Sequence, residues 1–133
     1  MSRFNEVKIE LNMTLNEYQE RAMGTCLPSC KNYGYMMLNL VGEVGEFAGK
    51  VAKAIRHETA MIETNHLITE RGMRSMTGEQ LADLRKEAGD ILWQLSGLCE
   101  VMGWDLEDVA AENLRKLADR KGRGVIDGSG DNR

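Results

Sequence analysis

Two acidic pairs, each inside a long segment with helical periodicity, constrain this chain more than any other feature. Glu43 and Glu46 form the first pair, and Glu87 and Asp90 form the second. Residues three apart lie on the same face of a helix, so two helices packed side by side would direct all these carboxylates at one region. Unpaired anions at such short distances repel one another. The pattern therefore predicts that a cation neutralises them.

The chemistry of the acidic side chains favours Mg²⁺, with Mn²⁺ as a possible substitute. Both ions prefer oxygen ligands, whereas di-iron helical bundles combine glutamate with a histidine three residues later. Neither His57 nor His66 falls within the acidic pattern. Magnesium commonly bridges substrate phosphates and activates water for in-line displacement. The residues thus indicate metal-dependent hydrolysis of a phosphoanhydride.

A plainer interpretation of the same acids stays open at this point. Acidic residues spaced by three are common on solvated helix faces, and nearby lysines can pair with them. Glu46 and Lys50, for example, have the i,i+4 spacing of a helical ion pair. Against this interpretation, both pairs lie at the same edge of their apolar stripes. Gly42, Gly45, Gly49 and Gly89 also lie inside the helices at a cost of about 1 kcal/mol each, which suggests close approach of a backbone, ligand or metal.

Apolar periodicity predicts an all-α fold with four helices arranged as a bundle. Capping boxes at Thr14–Glu17 and Thr77–Gln80 mark two helix starts, and Asp105 can cap another. The predicted helices span Leu15–Met23, Tyr33–His57, the segment after Thr77 to about Met102, and Leu106 to about Lys121.

Length and composition indicate one domain over residues 1–133. Within it, residues 1–13 form a lead-in, residues 59–76 a connector with room for a partial helix, and residues 122–133 a glycine-rich tail. No strand-like alternation is present. The core-facing positions predicted on the second helix include Val41 and Val44, and those on the last helix are Val109, Ala110, Leu114 and Leu117.

Charge and composition limit the classes of binding partner and the cellular location expected for the chain. A net charge of −4 argues against binding to a nucleic-acid polymer or to a membrane surface. The charged segment Met1–Glu10 is not a signal peptide, and no apolar stretch has membrane-spanning length. Three cysteines, an odd number without a metal-type spacing, favour reduced thiols and a cytoplasmic location.

At the acidic pairs the chain resembles the MazG-like branch of the all-α nucleoside triphosphate pyrophosphohydrolases. Their signature is E-x-x-E, a spacer and E-x-x-D, which here reads Glu43-x-x-Glu46 and Glu87-x-x-Asp90. The flanking residues 42–50 and 86–93, the helix segment 113–120 and the tail 128–133 are also similar. The resemblance covers about residues 33–133.

The resemblance implies hydrolysis of a nucleoside triphosphate to the monophosphate and pyrophosphate, in control or sanitation of the nucleotide pool. It implies that Glu43, Glu46, Glu87 and Asp90 bind Mg²⁺, and Glu46 is the candidate for orienting or deprotonating the attacking water. It further implies a homodimer or homotetramer with the site near a subunit interface.

Several polar residues are candidates for contact with the substrate. Cations suit phosphate oxygens, and an asparagine can donate to a phosphate or sugar. Each also has a structural alternative, such as pairing of the lysines with the acids. Trp93 lies opposite the apolar stripe of its helix and is expected in a subunit interface or stacked on a base. The substrate-binding candidates are Lys50, Lys53, Asn113, Lys116 and Arg120.

One departure from the family pattern concerns the spacer. Forty residues, Phe47–Lys86, separate the acidic pairs, which is longer than usual. The additional length falls in the connector, which we expect to be an added helix, a lid or an oligomer contact. Two other functions stay open: a non-catalytic helical module for nucleotide binding or dimerisation, and a phosphohydrolase acting on phosphoribosyl nucleotides.

Overall fold

The computed structural model describes residues 12–128 and residue 130, and within these residues the chain is mostly helical. Most of the lead-in and the end of the tail, residues 129 and 131–133, lie outside the described residues. The helix bounds agree with the sequence-based prediction to within about one residue. The helices are α1 (Leu15–Met23), α2 (Tyr33–Arg56), α3 (Gly78–Val101) and α4 (Leu106–Gly122).

Side chains cap the helices, in part as predicted. Both capping boxes are present: the Thr14 hydroxyl accepts from Glu17 N–H at 3.1 Å, and the Thr77 hydroxyl accepts from Gln80 N–H at 3.1 Å. Asp105 occupies the N-cap position of α4, but its side chain makes no capping hydrogen bond. Instead, Gln19 of α1 accepts from Leu106 N–H at 2.8 Å, so α1 fixes the start of α4.

Helices α2 and α3 form an antiparallel pair that carries the site. Met36, near the start of α2, is fully buried against Gly97, near the end of α3. A Cβ atom at position 97 would lie 2.4 Å from the Met36 sulfur, so only glycine fits here without displacing that side chain. The close contact fixes the register of the two helices and thereby the relative positions of their acids.

Helix α1 packs across α3 through Trp93. The indole Nε1 donates to the Ala22 carbonyl at 3.1 Å and to the Thr25 hydroxyl at 3.0 Å. The ring lies against the buried cluster of Ala22, Met23 and Met36. Trp93 thus packs against α1 of its own chain, which the sequence analysis did not predict, and its expected place in a subunit interface or on a base stays a prediction.

The connector contains a β-hairpin, which the sequence analysis did not predict. Strands β1 (Met61–Glu63) and β2 (His66–Ile68) are antiparallel, with Ile62 paired to Leu67. The two residues between them, Thr64 and Asn65, both have positive φ, as a tight hairpin turn requires. Strands of three residues are too short for alternation to be visible in a sequence, and this explains the missed prediction.

Much of the predicted core is not covered within the single chain. Val41 and Val44 of α2 and Leu114 and Leu117 of α4 are exposed, although their apolar stripes predicted burial. Conversely, Gln94 and Ser96 of α3 are buried. None of the helices in residues 12–128 is both long and apolar enough to cross a membrane.

Candidate metal and substrate site

Three of the four predicted acids converge in the groove between α2 and α3. Glu43, Glu87 and Asp90 each offer a carboxylate oxygen, and these oxygens all lie within 4.8 Å of one another. The antiparallel pairing brings Glu43 of α2 beside the turn of α3 that carries Glu87 and Asp90. The i,i+3 spacing places the latter two on one face, as the sequence predicted.

The mutual repulsion of these acids is visible at Glu43. Burial, followed by the negative charges of Asp90, Glu87 and Glu46, raises the pKa of the Glu43 carboxyl above its ordinary value. A hydrogen bond donated by the Asn39 amide at 3.4 Å opposes this effect. The group therefore attracts positive charge, whether as a proton or as a metal ion.

Lys50 provides part of that positive charge. Its ammonium nitrogen lies 2.8 Å from the Glu87 carboxylate, whose side chain is only 12% exposed. This hydrogen bond raises the pKa of Lys50, and the nearby charges of Glu87, Asp83 and Glu46 act in the same direction. Lys50 thus pairs with the acids, which is the structural alternative considered for it, and its partner is Glu87 on the other helix rather than Glu46.

Glu46 and Lys53 lie beside the acid group but outside it. Glu46 is exposed, and its carboxylate is not among the three that converge, although its charge reaches Glu43. Lys53 is exposed two turns after Glu46 along α2, where it lines a cleft next to the connector.

The predicted substrate contacts on α4 lie on a different part of the fold. The main helix contact of α4 is with α1 rather than with the α2–α3 pair. Asn113 and Lys116 are exposed, whereas the Arg120 side chain is buried at 4% exposure. Among residues 12–128, the converging carboxylates are Glu43, Glu87 and Asp90, and the contacts found for them are with Lys50 and Asn39.

Aromatic and amide side chains adjoin the acids on the side opposite Lys50, and sequence reasoning did not identify them. The Asn39 amide donates to the Tyr35 hydroxyl at 3.3 Å, and burial raises the Tyr35 pKa. Burial, and then the charge of Asp90, raises the pKa of Tyr18 from α1. Asn39 precedes Glu43 by four residues, or about one helical turn. This i−4 spacing is the sequence signal by which its contact with Glu43 could have been predicted.

The glycines near the acids have open surroundings in this chain. A Cβ atom added at Gly45, Gly49 or Gly89 would meet no other atom within 4 Å. Gly42 would meet only the Asn39 side chain, at an ordinary contact distance of 3.5 Å. Within the described part of the chain, the backbone of no other segment comes close to these glycines. A ligand, a metal ion or a second chain can still account for them.

The donor set fits a hard divalent cation. Three carboxylate oxygens within 4.8 Å form an all-oxygen group of the kind that Mg²⁺ and Mn²⁺ prefer. Burial and then the negative charges of Asp90, Glu87 and Glu46 raise the Glu43 pKa, so these charges still act on Glu43 in the presence of Lys50. Neither histidine belongs to this group, which disfavours zinc and di-iron sites of the histidine-containing kind.

Comparison with known proteins agrees with this geometry. The family model of the MazG nucleotide pyrophosphohydrolase domain matches residues 31–124, which include both acidic pairs and all of α2 and α3. Gene 37 protein of Mycobacterium phage L5 is 39% identical over 110 residues, covering 83% of each chain. No solved structure matches the chain. The chain belongs to the MazG nucleotide pyrophosphohydrolase domain family.

Proposed function

We propose that this protein hydrolyses nucleoside triphosphates, with ribose or deoxyribose, to the monophosphate and pyrophosphate in a Mg²⁺-dependent reaction. The observation that carries the proposal is the convergence of Glu43, Glu87 and Asp90 within 4.8 Å in a chain of the MazG family. The reaction would serve control or sanitation of a cytoplasmic nucleotide pool.

In the proposed reaction a water oxygen bonds to the α-phosphorus, and the bond from that phosphorus to the bridging oxygen of the β-phosphate breaks. Mg²⁺ held by Glu43, Glu87 and Asp90 would neutralise phosphate charge and promote ionisation of the water. Glu46, exposed beside these acids, is the proposed base that accepts the proton of the water. The electron pair of the broken bond leaves with pyrophosphate.

Substrate contacts on α4 belong to the proposal as well. Asn113 and Lys116 are exposed donors, and Arg120 is a buried cation near the end of α4. We propose that they reach substrate in the assembled protein, where a second copy lies against the helices. The exposed apolar residues of α2 and α4, Leu38, Val41, Val44 and Leu114, support a homodimer or homotetramer because such a surface is normally covered.

A product assay tests the activity. The protein is incubated with each common ribo- and deoxyribonucleoside triphosphate, with Mg²⁺ and then with EDTA. We expect monophosphate and pyrophosphate, and loss of both with EDTA. Diphosphate and free phosphate would contradict the proposed bond cleavage, and binding without turnover would favour the non-catalytic nucleotide module.

Three variants connect the activity to the site. Asp90→Asn removes one ligand charge and is expected to abolish turnover, whereas Asp108→Asn on the exposed side of α4 is expected to retain it. Glu46→Gln is expected to abolish turnover but to retain Mg²⁺ binding. Mg²⁺ binding is measured as the rise in melting temperature that the ion causes. An unchanged helical circular-dichroism spectrum in each variant excludes loss of fold as the cause.

A further inference from the structure

A cleft next to the acid group lies between the ends of α2 and α3 and the connector. It has a volume of about 200 Å³, well above the space that a single water molecule requires. The last turns of α2 and the first turns of α3 form two of its sides, and the two ends of the connector form the third. Its lining residues are Lys50, Lys53, Ala54, His57, Thr59, Met76, Gln80 and Asp83.

The connector is attached firmly enough to form a wall. Ala60 and Met76, at either end of the hairpin segment, are buried against Ala54 of α2. Thr59 N–H donates to the Ala54 carbonyl at 2.9 Å, and Met76 N–H donates to the Thr69 carbonyl at 2.9 Å. The packing on Ala54 and the Thr59 hydrogen bond hold both ends of the inserted segment on α2, and the Met76 hydrogen bond closes the segment on itself, so the segment contributes to the cleft directly.

The polar groups of the cleft are mostly donors. Lys53 forms no ion pair with the described residues, and His57 is exposed beside it. The Gln80 carbonyl oxygen accepts from Thr77 N–H at 2.9 Å, which leaves its amide nitrogen as the available group. The carboxylate of Asp83 lies 3.5 Å from the Lys86 ammonium, which offsets the one acid of the lining.

Donor groups favour binding of an anion, and the apolar part of the cleft adds to this preference. Ala54 and Met76 are buried and form its base. The Thr59 hydroxyl already donates to the Ala54 carbonyl at 3.2 Å. An anion held above an apolar base is less screened by water than one on an open surface, so each cationic contact is stronger.

Lys50 connects the cleft to the acid group, because it lines the cleft and contacts Glu87 at 2.8 Å. A triphosphate held by Mg²⁺ at the acids can therefore extend along the groove into the cleft. We propose that this cleft binds the β- and γ-phosphates of the substrate and the pyrophosphate product, with Lys53, His57 and Gln80 as contacts. This inference rests on the proposed function and assigns a role to the inserted hairpin segment.

Binding of magnesium pyrophosphate, measured by calorimetry, tests the assignment without turnover. Lys53→Gln and His57→Gln are compared with Arg56→Gln, an exposed cation on the same helix that does not line the cleft. We expect Lys53→Gln to weaken pyrophosphate binding by about tenfold or more, as expected for loss of one charge-assisted hydrogen bond. His57→Gln should weaken it in the same direction, and Arg56→Gln should leave binding within about twofold, since an exposed cation contributes little.

A second titration, with a nucleoside monophosphate and Mg²⁺, separates this cleft from the rest of the site. Binding of the monophosphate should be unchanged in Lys53→Gln, because its single phosphate stays at the acids. Equal weakening of both ligands, or equal effects of Lys53→Gln and Arg56→Gln, would overturn the inference. So would failure of the wild-type protein to bind magnesium pyrophosphate.

The inference and the proposed function can fail separately. If the wild-type protein releases pyrophosphate from a triphosphate but Lys53→Gln binds pyrophosphate normally, only the assignment of the cleft is wrong. If no triphosphate is hydrolysed but pyrophosphate binding still depends on Lys53, the cleft is an anion site and the proposed activity is wrong. Thermal unfolding of each variant verifies that the hairpin segment remains folded.

Discussion

The Lys50 ammonium lies 2.8 Å from the Glu87 carboxylate and joins the two helices that carry the acids. The lysine belongs to α2 and the glutamate to α3, so the pair reduces repulsion across the groove as well as along one helix. In the protein without a bound metal, Lys50 is the one ammonium paired with the three converging carboxylates in residues 12–128. A metal ion bound at these acids would therefore neutralise Glu87 together with Lys50.

Removal of the Lys50 charge should make the fold more dependent on metal. We expect Lys50→Gln to lower the melting temperature in EDTA, because the acids lose their cationic partner. Added Mg²⁺ should then raise the melting temperature by more than it does in the wild-type protein. Lys86→Gln is the matched control, since Lys86 pairs with Asp83 at 3.5 Å on the exposed surface. An Mg²⁺ response equal in both variants would contradict a special role for Lys50.

The raised pKa of Glu43 predicts how the stability of the metal-free protein changes with pH. Its pKa is raised above the ordinary value of 4.5, so the folded protein retains a proton that the unfolded chain has lost. Where the folded state binds more protons, the free energy of unfolding falls as pH rises. We therefore expect stability in EDTA to decrease from pH 4.5 up to the raised pKa of Glu43.

Thermal unfolding across this pH range, with and without Mg²⁺, provides the measurement. Mg²⁺ should stabilise the protein more as pH rises, because it replaces the proton on the carboxylates. Glu43→Gln should remove most of the pH dependence, and Glu112→Gln, an exposed carboxylate on α4, should leave it in place. A metal-free protein whose stability rises over this range would contradict the raised pKa of Glu43.

Gly97 offers a test of how α2 and α3 are packed. Gly97→Ala would place a Cβ atom 2.4 Å from the Met36 sulfur. Overpacking of this kind typically costs about 1–3 kcal/mol, and the flexible methionine keeps our expectation near the lower end. Gly122→Ala, at the end of α4 with no atom within 4 Å of the new Cβ, should be nearly neutral. Urea denaturation of both variants measures the difference, and equal stability would contradict the close approach at Gly97.

The sequence predicts the helices well because their signals are local. Capping boxes and 3.6-residue periodicity lie within each segment, and the i,i+3 acids follow from the same geometry. The hairpin was not predicted because its strands have three residues each and its turn, Thr64–Asn65, lacks glycine. The Lys50–Glu87 pair, the Asn39 contact with Glu43 and the burial of Gln94 depend on how α2 and α3 pack, which a single sequence does not specify.

The apolar faces of α2 and α4 show a second feature that a single sequence does not specify, namely which chain covers them. Periodicity marks residues that will be covered but does not indicate whether the same chain or another one covers them. Val41 is 67% exposed and Leu114 is 67% exposed, although both occupy predicted core positions. A second copy of the chain would satisfy both the prediction and the exposure, and Gly45 and Gly49 would allow its backbone to approach α2 closely.

A charge placed on α2 should therefore disrupt the assembly. We expect the wild-type protein to be a dimer or tetramer in analytical ultracentrifugation and Val41→Glu to shift it toward the monomer, because an ionised carboxylate is costly to bury unpaired. Ile62→Glu is the matched control, since Ile62 is 63% exposed and belongs to the hairpin rather than to α2 or α4. If Val41→Glu leaves the mass unchanged while Ile62→Glu reduces it, the hairpin rather than α2 forms the interface. A monomeric wild-type protein would contradict assembly altogether.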